Sequence, residues 1–476
     1  MLQDKPQEKK WQCCIDGDIV SEQDIYKHKQ KYHPDRQNYG LMWFLPDIDK
    51  IKDSITVNRD IINHETEIYQ HRVYNMWKSW LMQQLMPVEA KDVVSLGESG
   101  IPIIESEFLA RELGVKKVYI RDEGKNPTGS MKDYIISCGT TKGRQEGYNH
   151  FTAVSCGNHA LSAAHYVKSI NGKIIVFITS GSTKAGFLNK IPNAHTFRVK
   201  TNGRDSIYEE VYERFYNAGN NRIYNLNVSN EFMIDSAKTV ALEMALSGKE
   251  MPTHFISCAG NGTYIGGVGK GFLELKQLGI IKESPKCVAV GMKGGFPFET
   301  ALDMNVPIKE YKDFLIDEKK INYAEGTMAI GCYSMPQAIL AIKSTNGFTL
   351  GGLENEALID AYIMLSKDRI LMEAGIVPEP TAIQSLAAVL KHSSNFSKED
   401  IVLLSFTGHG AKNLKEISEM LGEKYRTKYE ILATSAVSKQ GRPDLVVEEN
   451  LILDSQISQS DLDEIINKLI AKSEHK

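Results

Sequence analysis

The chain has 476 residues, of which 42% are hydrophobic and 24% charged, as is ordinary for a soluble globular protein of two or three domains. Its net charge of −4 argues against the basic surface that binds nucleic acid or anionic membranes. No apolar run reaches the length of about 20 residues that crosses a bilayer. The seven cysteines include only one close pair, Cys13-Cys14, which lacks the spacing of a zinc knuckle. We therefore expect a protein of the reducing cytoplasm that holds no metal ion and has no nucleic-acid or membrane partner.

The first zone of the chain, residues 1–95, is rich in Lys, His, Tyr and Asp. Its clearest helical pattern runs over His64–Gln84, where an apolar stripe from Tyr69 to Trp77 is typical of a helix that packs on a core. We therefore predict that residues 1–95 form a mostly helical N-terminal extension.

Residues 96–425 alternate short apolar runs with helical patterns, which predicts α/β layers around mostly parallel sheets. The predicted strands are Val118–Arg121, Phe151–Val154, Lys173–Ile178, Thr196–Val199, His254–Ser257, Val288–Gly291 and Ile401–Phe406. The predicted helices include His159–Ser169, Ile207–Asn217, Ile234–Leu246 and Thr381–Leu390. Beyond this region, residues 426–476 form a predicted tail that ends in an amphipathic helix over Ser460–Ala471.

A lysine loop, Asn126–Asp133, follows the first of these strands. The turn residues of the loop place Lys132 in the first turn of a helix that Ser130 can cap. A lysine at such a position can be desolvated and lose its proton, and the resulting amine can form a Schiff base with an aldehyde cofactor.

A second loop follows the strand Phe151–Val154 and leads into a helix. It consists of Ser155, Cys156, Gly157, Asn158 and His159. Backbone N–H groups at such a junction are directed at a bound anion, for which a substrate α-carboxylate is a candidate. The amide of Asn158 can also donate a hydrogen bond to a phenolic oxygen.

A third loop, comprising Gly260, Asn261, Gly262 and Thr263, joins a strand to a glycine-rich helix. Glycines let backbone amides approach a phosphate closely, and the helix dipole adds a favourable potential. The loop is neither a dinucleotide fingerprint nor a P-loop, because the acid of the first and the Gly-Lys-Ser/Thr of the second are missing.

A fourth segment, Ser405–Gly410, closes the strand that begins at Ile401. The hydroxyl of Thr407 at this strand end can hydrogen-bond a pyridine nitrogen. A neutral partner makes the ring a weaker electron sink than a carboxylate would, which favours elimination and replacement over transamination.

The order of these four segments resembles that of the fold type II enzymes that depend on pyridoxal 5′-phosphate (PLP), and the lysine loop and Thr407–Gly410 are most similar to those of threonine synthase. Three further motifs of that family are matched by Leu96–Ile103, Lys238–Glu243 and Glu379–Thr381. The resemblance implies two α/β layered subdomains with PLP between them, the smaller one inserted at about residues 134–235. It also implies a homodimer.

By this resemblance, Lys132 would carry the cofactor, Asn158 would contact its 3′-oxygen, residues 260–263 would hold its phosphate, and Thr407 would meet its pyridine nitrogen. The substrate would lie against Ser155, Cys156, Gly157, His159 and Lys184, with Lys190 as a further candidate for a substrate phosphate.

The implied function is the conversion of phosphohomoserine and water into threonine and phosphate. The helix after the strand Lys173–Ile178 differs from that of threonine synthases, which leaves β-replacement on phosphoserine, as in cysteate or cysteine synthases, as an alternative. The loop Ser155–Ala160 resembles that of serine/threonine ammonia-lyases. A non-catalytic PLP-binding homologue is a further alternative, against which the presence of Lys132, Asn158 and Thr407 argues.

Overall fold

The computed structural model describes residues 8–476 except 59, 72–74, 156, 180–181, 183, 201–207, 217–221, 304–322, 328–331, 423–450, 455–456 and 475–476. In chain order, the strands of this part are β1 (Lys10–Cys13), β2 (Ile19–Ser21), β3 (Met42–Leu45), β4 (Ile103–Glu105), β5 (Lys117–Asp122), β6 (His150–Ser155), β7 (Lys173–Thr179), β8 (Ala194–Lys200), β9 (Tyr224–Asn225), β10 (His254–Cys258), β11 (Lys286–Met292), β12 (Phe348–Leu353), β13 (Ile401–Phe406) and β14 (Leu451–Asp454).

The α-helices of the same part are α1 (Ile25–Tyr32), α2 (Ile48–Val57), α3 (Asp60–Gln70), α4 (Trp80–Leu85), α5 (Glu107–Leu113), α6 (Lys132–Gln145), α7 (Asn158–Ser169), α8 (Ala185–Leu188), α9 (Tyr208–Phe215), α10 (Lys238–Leu246), α11 (Thr263–Gln277), α12 (Pro297–Asp303), α13 (Met335–Ser344), α14 (Asn355–Lys367), α15 (Arg369–Glu373), α16 (Pro380–Lys391), α17 (414–422) and α18 (Gln459–Glu474). None of the described helices is long and apolar enough to cross a membrane.

The strands form three sheets. The largest has the order β12-β11-β10-β13-β5-β4, in which only β4 runs antiparallel to its neighbour. The second, β14-β8-β7-β6-β9, is parallel throughout, and β1 pairs antiparallel with β2 and β3 in the third. The α/β architecture with mostly parallel sheets is therefore confirmed.

The core lies on both faces of the largest sheet, because its strands alternate their side chains between two helical layers. In β13, Ile401 and Leu403 join one apolar cluster, whereas Val402, Leu404 and Phe406 join the other. All six residues of the strand are buried. This two-sided burial explains why the strand is a continuous apolar run in the sequence.

All seven predicted strands are confirmed, as β5, β6, β7, β8, β10, β11 and β13. Predicted helices at His159–Ser169, Thr381–Leu390 and Ser460–Ala471 lie within α7, α16 and α18. The prediction over Ile234–Leu246 begins as a 3₁₀ turn before α10, and that over Ile207–Asn217 corresponds to α9, with residues 207 and 217 outside the described part.

The N-terminal zone differs from the prediction in two respects. The single helix predicted over His64–Gln84 is wrong, because α3 ends at Gln70 and α4 begins at Trp80. The sheet of β1, β2 and β3 was not predicted at all. Its central residue, Trp11, is fully buried and packs against the rings of Phe44 and Phe232 at centroid distances of 5.5 and 4.9 Å.

Three neighbouring strands of the largest sheet lead into predicted site segments. In the order β10-β13-β5, their carboxyl ends continue into the glycine loop, the Thr407 segment and the lysine loop. Ligands of open α/β sheets bind beyond the carboxyl ends of parallel strands. The sheet order therefore brings three of the four segments to one edge.

Candidate active site

The lysine loop connects β5 to α6, and Lys132 is the first residue of that helix. Its side chain is half-buried. The expected cap by Ser130 is wrong: Met131 occupies the N-cap position, and no side chain caps the helix there.

A carboxylate one residue after Lys132 organises the loop. Asp133 is fully buried and accepts hydrogen bonds from the backbone N–H of Thr128 (2.7 Å), the Thr128 hydroxyl and the Ser162 hydroxyl (2.6 Å). Burial raises the pKa of Asp133 to about 6, although these donors favour its charged form. Asp133 thus ties the turn before Lys132 to both α6 and α7.

The lysine loop pairs with the segment that contains Thr407. Ser130 and Gly408 form an antiparallel bridge, and the backbone N–H of Met131 donates to the carbonyl oxygen of Thr407 at 3.0 Å. The backbone N–H of His409 donates to Gly129 at 2.9 Å. Backbone hydrogen bonds therefore join the segment that contains Lys132 to the segment that contains Thr407, and the two residues lie close to each other.

Thr407 is 3% exposed, and its hydroxyl oxygen lies 3.3 Å from the Sγ atom of Cys258. Burial raises the pKa of Cys258 to about 11, so the thiol next to Thr407 is neutral at physiological pH. Cys258 immediately precedes the glycine loop and connects that loop to Thr407. Sequence reasoning missed this contact, which no local pattern signals.

The glycine loop forms a tight passage into α11. Gly262 has a φ of +94°, and a Cβ atom at this position would lie 2.7 Å from the Cβ of Ala338. The hydroxyl of Thr263 donates to the Val228 carbonyl at 3.2 Å, and the Asn261 side chain accepts from the backbone of Tyr333 at 3.0 Å. These two side chains fix the shape of the loop. A phosphate would therefore be bound by the backbone N–H groups of the loop and by the helix dipole.

The loop between β6 and α7 is held by its own serine. The Ser155 hydroxyl oxygen accepts from the backbone N–H groups of Gly157 (2.9 Å) and Ala160 (3.1 Å). The N–H of Gly157, expected to meet an anion, is thus already bonded. Cys156 lies outside the described residues.

Asn158 makes its contacts with Glu379. Its Nδ2 atom donates to Oε1 and Oε2 of Glu379 at 2.8 and 3.0 Å, and its buried Oδ1 atom has no partner among the described residues. In this orientation the amide nitrogen donates to Glu379, and the assignment of Asn158 to the cofactor's 3′-oxygen stays a prediction.

Glu379 connects the site's segments, and sequence reasoning named it only as part of a family motif. Its backbone N–H donates to the Gly408 carbonyl at 2.9 Å, and its carboxylate pairs with Lys184 at 3.1 Å. Burial alone would raise the pKa of Glu379, but the charges of Lys184 and Lys412 hold it below its ordinary value. Lys184 therefore lies next to Glu379, whereas Lys190 is exposed, and the assignment of Lys184 to the substrate stays a prediction.

His159 is buried and bonded to the backbone. Its Nε2 atom lies 2.5 Å from the carbonyl oxygen of Leu226. Burial, reinforced by the nearby charge of Lys132, lowers the pKa of His159 to about 3. The imidazole is therefore neutral, and its assignment to the substrate stays a prediction.

Lys412 is a half-buried cation that sequence reasoning missed. Its ammonium donates to the carbonyls of Gly129 (2.7 Å) and Thr128 (3.2 Å). Burial lowers the pKa of Lys412 to about 8, although Glu379 opposes that shift. The sequence could have indicated this residue, because a lysine follows the Thr407 segment closely. The site thus offers two lysines around one buried carboxylate.

A buried ion-pair network stabilises the end of β5 and the lysine loop. Arg121 pairs with Glu123 at 2.5 Å and with Glu243 at 2.6 Å. Glu243 also accepts from the backbone of Gly100, and Glu123 accepts from the Asn126 amide at 2.8 Å. Gly100, Glu243 and Asn126, each from a different family motif, therefore fix the end of β5 and the lysine loop.

The residues described above fit PLP as the cofactor. A lysine begins α6, a buried hydroxyl closes β13, and a loop that admits no Cβ at Gly262 opens α11. Residues 94–408 also match the pyridoxal-phosphate dependent enzyme family over about two thirds of the chain.

The chain belongs to that family.

Among curated relatives, the threonine synthase of Methanocaldococcus jannaschii is 28% identical over 379 residues, which cover 79% of this chain and 87% of the relative. The threonine synthase of Methanosarcina acetivorans is 26% identical and matched over 72% and 82% of the two chains. PLP is the cofactor of the family, and the sequence-based identification of the family is confirmed.

Solved structures agree on the fold. The L-serine ammonia-lyase of Rhizomucor miehei superposes with a TM-score of 0.54 at 17% identity, covering 71% of this chain and 99% of that one. Maize serine racemase gives a TM-score of 0.53 at 17% identity, covering 71% and 93%. At such identities the likeness establishes the fold type II architecture and nothing about the substrate.

Proposed function

We propose that this PLP-dependent lyase converts phosphohomoserine and water into threonine and phosphate. The observation that carries the proposal is Lys184, which lies with Lys412 around Glu379 next to the lysine loop. Charge-assisted contacts of this kind suit a dianionic leaving group. The similarity to threonine synthases over most of the chain supports the same substrate.

Bound PLP would supply an electron sink for charge that develops at the substrate's α-carbon. Lys132 would hold the cofactor and, once released by the substrate, its amine would move the α-proton. Thr407, beside the neutral thiol of Cys258, would present an uncharged partner to the ring nitrogen. Residues 260–263 would hold the cofactor's phosphate, while Lys184 and Lys412 would bind the departing one.

Asn158 would contact the cofactor's 3′-oxygen, and the loop of Ser155, Cys156, Gly157 and His159 would line the substrate side. In this structure Glu379 accepts hydrogen bonds from both Asn158 and Lys184, so an incoming anion that binds Lys184 would change the partners of Glu379. We propose that substrate binding rearranges this Asn158–Glu379–Lys184 cluster.

Two alternative reactions rest on particular residues. The same lysines would serve phosphoserine in a β-replacement. The run Ser-Cys-Gly-Asn-His-Ala at residues 155–160 favours a serine/threonine ammonia-lyase instead. A purely PLP-binding, non-catalytic role would leave the amine of Lys132 without a part in proton transfer.

The deciding experiment incubates the purified holoenzyme with phosphohomoserine, phosphoserine, threonine and serine, while released phosphate and ammonia are measured. We expect phosphate from phosphohomoserine with threonine as product. Rapid ammonia release from serine or threonine, with both phosphoesters ignored, would replace the proposal with the ammonia-lyase reaction.

A second measurement tests the lysine. Borohydride reduction and peptide mapping should place a pyridoxyl group on Lys132, and Lys132→Ala should abolish turnover. Lys125→Ala is the matched control, because Lys125 is an exposed lysine of the same loop region. A label on any other lysine would overturn the assignment.

We further propose a cytoplasmic homodimer in which residues 96–425 form the catalytic region, with the smaller subdomain at about 134–235. Four strands of the parallel five-stranded sheet lie between His150 and Asn225, which supports the insertion. Sedimentation of the holoenzyme would measure the number of chains.

A further inference from the structure

The first 36 residues contain a hairpin followed by a helix. Strands β1 and β2 pair antiparallel, and α1 follows after a short 3₁₀ turn. The turn of the hairpin is tight, since the backbone N–H of Cys13 donates to Asp18 (2.8 Å) and that of Gly17 donates to Cys13 (3.0 Å). This hairpin–helix unit lies outside the catalytic region and has no role in the proposed reaction.

Four side chains of the unit converge on one point. Cys13 and Asp16 come from the hairpin, His28 from α1, and His33 from the residue that follows α1. Their ligand atoms all lie within 4.8 Å of one another. The Nε2 atom of His33 is 3.3 Å from Cys13 Sγ and 2.9 Å from Asp16 Oδ2, and His28 Nε2 is 3.1 Å from the same Asp16 oxygen.

The local fold explains the convergence. The 3.0 Å bond that closes the turn places Cys13 and Asp16 on one side of the hairpin, and the backbone N–H of Asp18 fixes the Asp16 carboxylate at 2.9 Å. The two imidazole rings are tilted by 57° with their centroids 5.5 Å apart, and His33 approaches His28 because its backbone leaves the helical conformation at the end of α1, with φ −133° and ψ 53°.

We propose that Cys13, Asp16, His28 and His33 bind one Zn²⁺ ion as a structural site. Thiolate, imidazole and carboxylate are the ligands that zinc takes in proteins, and four protein ligands make the closed site typical of a structural role. Bond lengths of about 2.0 Å to nitrogen and about 2.3 Å to sulfur put tetrahedral ligand atoms roughly 3.3–3.7 Å apart. The three short separations of 2.9, 3.1 and 3.3 Å would widen by a few tenths of an ångström, and pairs separated by up to 4.8 Å would close by about 1 Å.

The sequence spacing supports the same ion. The pattern Cys-x₂-Asp-x₁₁-His-x₄-His, on a hairpin followed by a helix, corresponds to the ligand spacing of hairpin–helix zinc sites with an aspartate in the second position. The sequence-based expectation that no metal ion is bound rested on the spacing of the cysteines alone. It overlooked the two histidines and Asp16, which complete the set.

The unit also has a physical need for a cross-link. The apolar cluster of this region contains five buried residues, namely Trp11, Cys13, Ile25, Met42 and Phe44. So small a core contributes little stability, and small units commonly add a metal or disulfides. Asp16 and His33 keep side-chain exposures of 30% and 10%, so an ion can reach the cluster from solvent.

The position of the unit suggests what the ion would stabilise. Lys29 on α1 pairs with the buried Glu231 at 2.8 Å, and Glu231 also accepts from the backbone of Leu41 and Met42. Phe232 packs on Trp11 at a centroid distance of 4.9 Å. The zinc unit would therefore hold the N-terminal zone on the segment that leads into α10.

The test measures zinc in the purified full-length protein by elemental analysis after dialysis against metal-free buffer. We expect about one zinc ion per chain, less than about 0.2 in Cys13→Ser, and an unchanged value in the control Cys14→Ser. Cys14 is the neighbouring buried cysteine and does not belong to the cluster.

Two further variants keep the proposal falsifiable if Cys13→Ser fails to fold. Asp16→Cys should retain zinc and bind it more tightly, and replacement of zinc by Co²⁺ should then strengthen the sulfur-to-metal charge-transfer absorbance. His33→Gln should lose the ion while His71→Gln, which changes an exposed histidine, should keep it. Wild-type protein that contains no zinc and takes up none from micromolar Zn²⁺ would overturn the proposal, as would equal zinc content in His33→Gln and His71→Gln.

Discussion

At the scale of single residues, the proposed role of Thr407 is to set how strongly the ring of bound PLP can withdraw electrons. A carboxylate there would favour protonation of the ring nitrogen, because a buried opposite charge stabilises the protonated form. We expect Thr407→Asp to slow turnover by about tenfold or more and to add transamination products. Product analysis of the holoenzyme measures both effects.

Thr407→Ser is the control for this change, since it keeps the hydroxyl that lies 3.3 Å from Cys258. It should retain most of the activity. Equal rates and products in Thr407→Asp and the wild type would mean that Thr407 is not the partner of the ring nitrogen.

Lys184 and Lys190 are separated by six positions in the sequence but differ in their surroundings. Lys184 pairs with buried Glu379, whereas Lys190 is exposed. Lys184→Gln should raise KM for phosphohomoserine roughly tenfold, as expected for the loss of about 1.5–3 kcal/mol from a charged hydrogen bond. Steady-state kinetics with each phosphoester would measure the change.

Lys190→Gln is the matched control and should leave KM unchanged. Serine or threonine, which carry no phosphate, should be handled alike by wild type and Lys184→Gln. If KM rose equally for phosphorylated and unphosphorylated substrates, Lys184 would stabilise the loop between β7 and α8 rather than bind the substrate phosphate.

At the scale of elements, the junction of β5 and α6 depends on Asp133. Its carboxylate takes three hydrogen bonds from Thr128 and Ser162, so the turn before Lys132 is fixed by a side chain beyond it. Asp133→Asn should cost about 1.5–3 kcal/mol of stability and loosen the loop, because charged acceptors form the stronger bonds. Urea unfolding and amide hydrogen exchange over residues 126–133 would measure both.

The control is Asp360→Asn, which changes an exposed carboxylate on α14. It should alter neither quantity. Unchanged hydrogen exchange over the lysine loop in Asp133→Asn would show that the loop holds its shape without the carboxylate.

Local signals predicted the elements that carry Lys132, residues 260–263 and Thr407, because each begins or ends at a strand boundary marked by turn residues. The predicted Ser130 cap was wrong: Met131 occupies the N-cap position, and the turn is fixed by Asp133, whose bonds to Thr128 follow no local pattern. Sequence reasoning also missed the pairing of Lys184 with Glu379, which joins residues 195 positions apart. Contacts of that kind follow from sheet order, which the sequence does not display.

At the scale of the whole molecule, buried neutral histidines make stability depend on pH. Burial lowers the pKa of His159 to about 3 from 6.5, so below pH 6.5 the unfolded chain takes up a proton that the folded chain does not. The contribution of His159 to the free energy of unfolding should therefore be constant above that pH and fall by about 1.4 kcal/mol for each unit of acidification toward pH 3. The raised pKa of Asp133 acts in the opposite direction, because the folded chain binds that proton first.

His159→Gln removes this proton uptake, so its urea midpoint should fall less steeply than that of the wild type between pH 6 and pH 4. His71→Gln, at a histidine whose side chain is 71% exposed, should follow the wild type. Parallel curves for all three proteins would mean that His159 is charged in the folded state or does not govern the acid response.

Strand β14 is an edge strand of the five-stranded sheet and pairs with β8, which lies far from it in the sequence. It pairs with β8 across a gap of more than 250 residues, and Leu462 and Ile466 of α18 are buried in the cluster that contains Phe197 and Phe215. During synthesis, β8 must wait at an open sheet edge until residue 454 has left the ribosome. An unpaired edge is a template for association with other chains. A segment that is translated more than 250 residues after β8 thus shields this sheet edge from other chains.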